Sequence, residues 1–333
     1  MSLNYVIYGA GGIGGVIGAR LHQAGFAVTL IARGAHADVM QRQGLTLIDP
    51  HERKTLEIPT VTSPAAAVLN VQTVVLMCMK SQHTEAALRD LAATSAGSIR
   101  LACVQNGVAN ERMALRYFPR VFGTVVNLPA MFLNPGEVVT HADGQGGILD
   151  TGCYPRGVDE VSEVIVTDFK HAGFSANATP TVMRQKYAKL LLNLVNVMQA
   201  GIRDMDNAAE LVRDARREAL SCFAAAGIDC ATKEETERRR RGVYRMADIE
   251  GYPRTAGSSW QSMARGTGDI ETEYLNGEIC LLGRLHGVAT PVNDACVRMA
   301  RALLQRGAGP HQFTAAQVTA DVEQNASEPS EAH

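Results

Sequence analysis

Tyr5-Val6-Ile7-Tyr8-Gly9-Ala10-Gly11-Gly12-Ile13-Gly14 is the stretch that decides the fold of this 333-residue chain. An apolar run that predicts a strand leads into a glycine-rich turn, and a segment of helical composition (16–24) follows. In that context G-x-G-x-x-G is a fingerprint of dinucleotide binding rather than a chance match. The first glycine permits the tight turn, the second lets the backbone approach a pyrophosphate, and the third lets helix pack on strand. The candidate cofactor contacts here are Gly9, Ala10, Gly11, Gly12, Ile13 and Gly14.

The residue that follows the second predicted strand (27–32) bears on which dinucleotide binds. An NAD site usually places Asp or Glu there, about 20 residues after the loop, to bind the ribose 2′-hydroxyl. This chain has Arg33 at that place, and the next carboxylate is that of Asp38. Because a guanidinium suits a 2′-phosphate, the sequence favours NADP(H) over NAD. The alternative is a solvated arginine in the turn.

Length and composition limit the classes of protein to consider. A chain of 333 residues predicts two domains, and a net charge of −2 argues against nucleic acid or an anionic membrane as partner. The seven cysteines are scattered without a C-x-x-C pair, so neither a disulfide framework nor a metal site is predicted. No apolar run approaches the ~18 residues of a membrane helix. The first strand begins almost at the start of the chain, which leaves no room for a signal peptide, and we expect a cytoplasmic protein.

Strand and helix signals are distributed unevenly along the chain. In the first half, nearly all-apolar strands (4–8, 27–32, 73–79, 99–104 and 121–126) alternate with helices, as in a parallel sheet covered on both faces. After about residue 180 the segments are helical. The sequence therefore predicts an α/β fold with an N-terminal Rossmann-like dinucleotide-binding domain over 1–178 and a C-terminal all-α domain over 179–315. The polar segment 316–333 is expected to be disordered.

Polar residues follow two of the predicted strands directly. Lys80 closes one apolar run and Asn106 follows another. Ligands of an open parallel sheet bind outside the carboxyl ends of its strands, so both are candidate cofactor contacts. The alternative for each is a loop residue that caps the next helix.

The predicted helix 181–200 carries a polar stripe on an otherwise apolar surface. Its members are three, four and three residues apart and so share one face: Lys186, Lys189, Asn193 and Asn196. Such a stripe is either the solvent edge of the helix or the wall of a cleft, and spacing alone favours the solvent edge. A lysine beside apolar surface can have a lowered pKa, which suits proton donation near neutrality.

A third polar cluster lies further along the chain. Ser258-Ser259 and Glu271-Thr272-Glu273-Tyr274-Leu275-Asn276-Gly277 offer hydroxyl and carboxylate groups for a small polar substrate. Helix capping by serine and a solvated acidic first turn are the alternative, which the pattern alone favours. The run Arg238–Arg241 follows several glutamates at a spacing of four and is read as a solvated helix face rather than a nucleic-acid contact.

Taken in order, these motifs resemble the ketopantoate reductases (2-dehydropantoate 2-reductases) over residues 1 to about 305. The helix with Lys189 and Asn193, combined with Glu271-x-x-Tyr274-Leu275-Asn276-Gly277, is the most specific part. The resemblance implies a Rossmann domain joined to a helical domain, with NADPH and a small 2-keto acid between them, and reduction of ketopantoate in pantothenate synthesis. A homodimer is compatible with it.

The resemblance also implies roles for individual residues. Lys189 would be the general acid, and Glu271 would support the lysine or the substrate. The cofactor cleft would be lined by Lys80 and Asn106. The candidate substrate contacts are Asn193, Asn196, Asn207 and Ser259.

The chain departs from the family pattern at the substrate wall. The family's second helix asparagine falls at position 197, which is Val here, and Asn196 comes one step early, a rotation of roughly 100° around a helix. Residues 266–269 lack the usual arginine, and Ala256 stands where the family often has Asn. A different 2-keto acid is therefore one alternative. Others are a β-hydroxyacid dehydrogenase, disfavoured by Arg33, and a non-catalytic NADP(H)-binding sensor, disfavoured by retention of Lys189.

Overall fold

The computed structural model describes residues 2–95, 99–254, 260, 263, 270–306 and 309–326. Within these ranges the chain divides into two compact units. The first unit comprises the residues up to Lys186 together with Ala231–Arg254, and the second comprises Tyr187–Cys230 with the described residues after 254. An α/β unit and a helical unit confirm the predicted fold class.

The first unit is built on a mostly parallel sheet, which has seven strands within the described residues. Its strand order is β12-β8-β7-β6-β1-β2-β5, in which β12 alone runs antiparallel to its neighbour. The strands of this unit are β1 Asn4–Tyr8, β2 Val28–Ile31, β3 Leu45–Ile48, β4 Arg53–Leu56, β5 Thr60–Val61, β6 Thr73–Met77, β7 Arg100–Cys103, β8 Val121–Asn127, β9 Ala130–Met131, β10 Glu137–Thr140, β11 Ala142–Gly144, β12 Ile148–Cys153 and β13 Tyr244–Met246.

The chain leaves β1 toward β2 on one side and reaches β6 on the other. Strand order therefore reverses at β1, which makes its carboxyl end the topological switch point where ligands of such sheets bind. All five residues of β6 and four of the five in β1 are buried, as expected of central strands covered on both faces. The glycine-rich turn follows β1 at this point.

The helices of the chain, as the described residues have them, are α1 Gly12–Gln23, α2 Gly34–Gln43, α3 Thr84–Ser95, α4 Asn110–Leu115, α5 Glu160–His171, α6 Val182–Asn193, α7 Asn196–Gly201, α8 Ala209–Ala225, α9 Lys233–Arg240, α10 Asn276–His286, α11 Pro291–Arg306 and α12 Ala315–Ala326. The predicted helix 181–200 is two helices, because a turn at Leu194–Val195 separates α6 from α7. None of the helices in the described ranges is both long and apolar enough to cross a bilayer.

Residues 231–254 belong to the first unit, whereas the sequence placed the boundary at 178. Strand β13 pairs with β11, so this segment extends the first unit's secondary structure. Arg239 binds both carboxylate oxygens of the buried Asp150, at 2.6 and 2.7 Å. The expectation of a solvated face is therefore wrong for Arg239, since a buried carboxylate requires a cation of this kind.

The segment after 315 also differs from the prediction of a disordered tail. Helix α12 forms there because Ala315 and Val318 bury an apolar face in the second unit's core. Arg298 on α11 pairs with Asp321 at 2.7 Å, and the Asp204 carboxylate accepts a hydrogen bond from the Ala315 amide. Residues 327–333 lie outside the described ranges.

Candidate active site

The three fingerprint glycines have distinct surroundings. Gly9 adopts φ +99°, and a Cβ there would lie 2.7 Å from the Met79 amide nitrogen. A Cβ on Gly14 would lie 2.8 Å from the Cβ of Cys78 and would also collide with the Gly9 carbonyl. At Gly11 a Cβ would meet no atom of the described residues within 4 Å. Gly9 and Gly14 thus allow the turn and the close helix–strand packing, while Gly11 borders open space of the kind a pyrophosphate needs.

The N-terminus of α1 faces this turn and suits an anion. Gly11 is its N-cap and Gly12 its first residue, so no side chain caps it, and its first turn carries no acidic residue in the described structure. The first amides of a helix lack intrahelical partners and carry the positive end of the dipole. The residues from Gly9 to Gly14 therefore fit the diphosphate of a dinucleotide.

Arg33 lies at the N-cap of α2, directly after β2, and its side chain is exposed. Burial and the neighbouring Asp90 raise the pKa of the Tyr8 hydroxyl, while the positive charge of Arg33 opposes that rise. Tyr8 is the last residue of β1, so the Arg33 charge is close enough to the carboxyl end of this central strand to influence its last side chain. Arg33 therefore occupies the place from which a ribose 2′-phosphate could be bound.

A buried polar network supports the two loops that carry Lys80 and Asn106. Gln105 donates to the Met79 carbonyl at 3.0 Å and to Thr84 at 2.7 Å, and Thr84 donates to Asn110 at 2.8 Å. The Asn110 amide in turn donates to the Asn106 carbonyl at 3.0 Å. Both loops are thereby tied together at the ends of β6 and β7. Lys80 and Asn106 themselves are half-buried.

Lys186 is a central residue of this region to which the sequence assigned no role in the site. Its ammonium donates to the Gln105 carbonyl at 3.0 Å, lies 3.5 Å from the Cys103 carbonyl and forms an ion pair with Glu111. The two side chains are 3% and 0% exposed. The expected solvent edge is therefore wrong at Lys186. The interaction joins residues 75 apart, so helical spacing could not reveal it.

In the second unit, α6 carries Lys189 and Asn193 four residues apart, on the same face of the helix. Lys189 is half-buried, whereas Asn193 is only 7% exposed, so the solvent-edge interpretation is wrong for Asn193 as well. Its amide nitrogen is buried and has no hydrogen-bond partner among the described residues. Because buried amides are almost always paired, this nitrogen marks a place where a ligand oxygen would be stabilised.

Glu271 is 7% exposed and lies directly before a short 3₁₀ helix, Thr272–Tyr274. Its backbone carbonyl accepts from the Tyr274 amide at 2.9 Å. The interpretation of this segment as a solvated acidic first turn, which the pattern favoured, is therefore wrong for Glu271. A buried carboxylate needs a cation or several donors, which fits a polar site better than a surface turn.

Asn276 and Asn293 form a support beneath the α6–α7 turn. Asn276 donates to the Leu194 carbonyl at 3.2 Å and to Asn293 at 3.0 Å. Asn293 donates in turn to Glu218 at 2.7 Å. Asn276 thus fixes the backbone immediately after Asn193. The sequence included Asn276 in a motif, but a bracing role could not be read without its partners.

The remaining predicted substrate contacts occupy different settings. Asn196 begins α7 and is half-buried, and the turn before it means that its spacing from Asn193 is not that of a regular helix. Val197, the residue in the family's asparagine position, is 1% exposed in the second unit's core. Asn207 is exposed and donates to Asp204 at 3.1 Å. Ser259 lies outside the described residues, as do Ser258, Ala256 and residues 266–269.

Two family models match the chain. The model described as "Ketopantoate reductase PanE/ApbA" matches residues 5–155, and "Ketopantoate reductase PanE/ApbA C terminal" matches residues 174–304. Among relatives, the 2-dehydropantoate 2-reductase of Pyrococcus horikoshii is 26% identical, with 91% of this chain and 98% of the relative covered. That of Halobacterium salinarum is also 26% identical, with 87% and 95% covered.

Solved structures agree with this fold. A PanE/ApbA family ketopantoate reductase from Ralstonia eutropha JMP134 has a TM-score of 0.76 at 25% identity, with 92% of this chain and 99% of the other covered. A D-mandelate dehydrogenase with NADH and anilino(oxo)acetate has a TM-score of 0.77 at 19% identity and the same coverage, a likeness of fold. Since the family models together span most of its length, the chain belongs to the ketopantoate reductase family, whose members are NADPH-dependent oxidoreductases.

Proposed function

We propose that this protein reduces 2-dehydropantoate (ketopantoate) to pantoate with NADPH, the reductive step of pantothenate synthesis. One observation of the chain carries the proposal beyond the family match. Asn193 has a buried amide nitrogen without a partner one helical turn after Lys189. A keto acid offers the oxygen acceptors that this amide lacks, beside an ammonium that can donate a proton.

NADPH would be held by the backbone of Gly9 to Gly14. Arg33 would bind its 2′-phosphate, and Lys80 and Asn106 would line the cofactor cleft. When bound, NADPH supplies the hydride for the ketone carbon. The open space at Gly11 and the uncapped N-terminus of α1 support this assignment.

Lys189 is proposed as the general acid. Its ammonium hydrogen-bonds the ketone oxygen and gives up a proton as negative charge develops there, which stabilises the alkoxide. A positioned general acid contributes roughly 10²–10⁴-fold in rate. Glu271 keeps the lysine charged and oriented. The substrate contacts are assigned to Asn193, Asn196, Asn207 and Ser259.

A second candidate is reduction of a different 2-keto acid, which Val197 favours. Where the family pattern has asparagine, this chain places an apolar side chain in the second unit's core. The substrate therefore loses one polar contact, and an acid with a less polar tail than ketopantoate would be less penalised.

The test is the oxidation of NADPH with ketopantoate and a panel of other 2-keto acids, including aliphatic and aryl ones. We expect Lys189→Ala to lose at least about 10²-fold in kcat with little change in NADPH affinity. Lys233→Ala is the matched control, because Lys233 is an exposed lysine on α9.

Four outcomes separate the hypotheses. Turnover by Lys189→Ala within a few-fold of the wild type would refute the general-acid role. A preference for another 2-keto acid would support the second candidate, and oxidation of a 3-hydroxy acid with NAD would indicate a β-hydroxyacid dehydrogenase. Tight NADPH binding without turnover on any substrate would indicate a sensor.

A further inference from the structure

His36 lies beneath the glycine loop and connects three separate segments of the first unit. It is the third residue of α2 and is 8% exposed. Its Nε2 is 2.8 Å from the Ala10 carbonyl oxygen, and its Nδ1 is 2.8 Å from the Gly136 amide nitrogen. The ring packs against Phe132, with centroids 4.3 Å apart. The imidazole therefore bridges α2, the loop after β1 and the turn before β10.

The two hydrogen bonds fix the protonation state of the ring. A backbone amide can only donate, so Nδ1 must accept and carries no proton. The single proton is then on Nε2, which donates to Ala10. Burial lowers the pKa of His36 below its ordinary value, in keeping with a neutral ring.

The groups on either side of the imidazole are held by other contacts. Gly136 adopts φ +80°, a Cβ there would collide with Val39, and its carbonyl accepts from the Thr46 amide at 2.8 Å. The Ala10 amide donates to the Ile31 carbonyl at 3.2 Å. The ring therefore connects two segments that the sheets already fix. A side chain at position 36 can keep both hydrogen bonds only if it spans the distance between these segments and has its donor at the position of Nε2.

The Ala10 carbonyl belongs to the same peptide unit as the Gly11 amide. In a planar trans peptide the C=O and N–H groups point in opposite directions. A carbonyl bound inward to His36 therefore turns the Gly11 N–H outward, on the side where a Cβ of Gly11 would lie more than 4 Å from every other atom in the part of the chain that the structure describes. Outward amides of this kind bind phosphate oxygens.

We propose that His36 is a positioning residue for NADPH: through Nε2, the histidine orients the Ala10–Gly11 peptide toward the cofactor. The helix that carries His36 begins at Arg33, the residue proposed to bind the 2′-phosphate. The proposal rests on the NADPH use in the proposed function. It assigns a role to a residue that does not itself touch the cofactor.

The test uses two amide variants that each keep one of the two bonds. Gln places its amide near Nε2 and can donate to Ala10, whereas Asn places its oxygen near Nδ1 and can accept from Gly136. We expect His36→Gln to keep NADPH affinity within about threefold of the wild type, and His36→Asn to raise the Kd about tenfold, the cost of one buried hydrogen bond. Titration of NADPH fluorescence measures both.

Thermal melting separates positioning from general destabilisation. Each variant loses one buried hydrogen bond, so we expect the Tm to fall by a similar amount in both. The Kd for NADPH, by contrast, should differ between the two variants. Equal Kd values for the two variants, or an unchanged Kd in His36→Asn, would overturn the proposal. Nitrogen NMR of the wild type gives a further check, since a proton on Nδ1 would also overturn it.

The binding readout keeps this proposal distinct from the reductase assignment. A wild type that binds NADPH but does not reduce ketopantoate would refute the substrate and leave the His36 result intact. Normal turnover with equal Kd values in the two variants would refute His36 and leave the reductase assignment intact.

Discussion

Removing the Lys186 ammonium should destabilise the first unit strongly. In Lys186→Met, the Glu111 carboxylate would stay buried without its cation, and its Oε2 already has no partner among the described residues. Breaking a buried ion pair from one side costs about 3–5 kcal/mol. Against a typical total of about 5–15 kcal/mol, such a loss would be a large fraction of the stability.

The double variant Lys186→Met/Glu111→Leu is the matched control. It removes the stranded charge, and replacing a buried pair by apolar side chains is often neutral or stabilising. The Gln105 and Cys103 carbonyls would still lose a donor, at about 1 kcal/mol each. We therefore expect the double variant to lie within about 2 kcal/mol of the wild type, and to be more stable than Lys186→Met.

Urea unfolding followed by circular dichroism measures these differences, because the only tryptophan, Trp260, lies in the second unit. A loss below about 1 kcal/mol in Lys186→Met would contradict the reasoning. A double variant as unstable as the sum of its single variants would do so too, since it would mean that the two side chains do not interact.

Three further predictions concern the cofactor region. Gly14→Ala should lower stability by about 1–3 kcal/mol, because its methyl group would overpack against Cys78. Gly11→Ala, whose methyl group would meet no described atom within 4 Å, should keep the Tm and raise the Kd for NADPH. Thermal melting and NADPH titration of both variants check this, and an unchanged Kd in Gly11→Ala would count against a pyrophosphate at Gly11. Arg33→Ala should reduce the kcat/KM preference for NADPH over NADH by roughly tenfold or more, because a charged hydrogen bond to the 2′-phosphate is lost. An unchanged ratio of the two kcat/KM values would instead indicate that Arg33 is a solvated turn residue. The neutral ring of His36 should make stability depend on pH: its pKa is lower when folded, so its contribution is complete above about pH 6.5 and is lost as pH falls toward the folded pKa. His36→Gln should show a smaller loss of Tm between about pH 8 and 5, and identical profiles would contradict this assignment.

Local patterns predicted the central part of the first unit. Apolar runs such as 4–8 and 73–79 became central strands because burial on both faces favours apolar residues along most of the strand. The glycine spacing likewise predicted the turn, since Gly9 and Gly14 each meet a local steric demand. These features depend on neighbours along the chain or on a single adjacent strand.

Features that depend on partners distant in sequence could not be predicted from the sequence. Lys186 and Asn193 were placed on a solvent edge because spacing shows which residues share a face but not what covers that face. Arg239 was read as solvated because the neighbouring glutamates offered local partners, whereas its actual partner, Asp150, is 89 residues away. The role of His36 could not be predicted from the sequence, because both of its hydrogen bonds are to backbone groups.

The return of residues 231–254 makes the first unit discontinuous in sequence. A fragment that stops at Lys186 would lack β13 and would leave Asp150 without Arg239. During synthesis on the ribosome, the first unit can reach its final structure only after residues 231–254 have emerged, and these follow the Tyr187–Cys230 stretch of the second unit. Fragments that end at Lys186 should therefore misfold, whereas excising Tyr187–Cys230 and rejoining the flanking ends would preserve every strand of the first unit, β13 included.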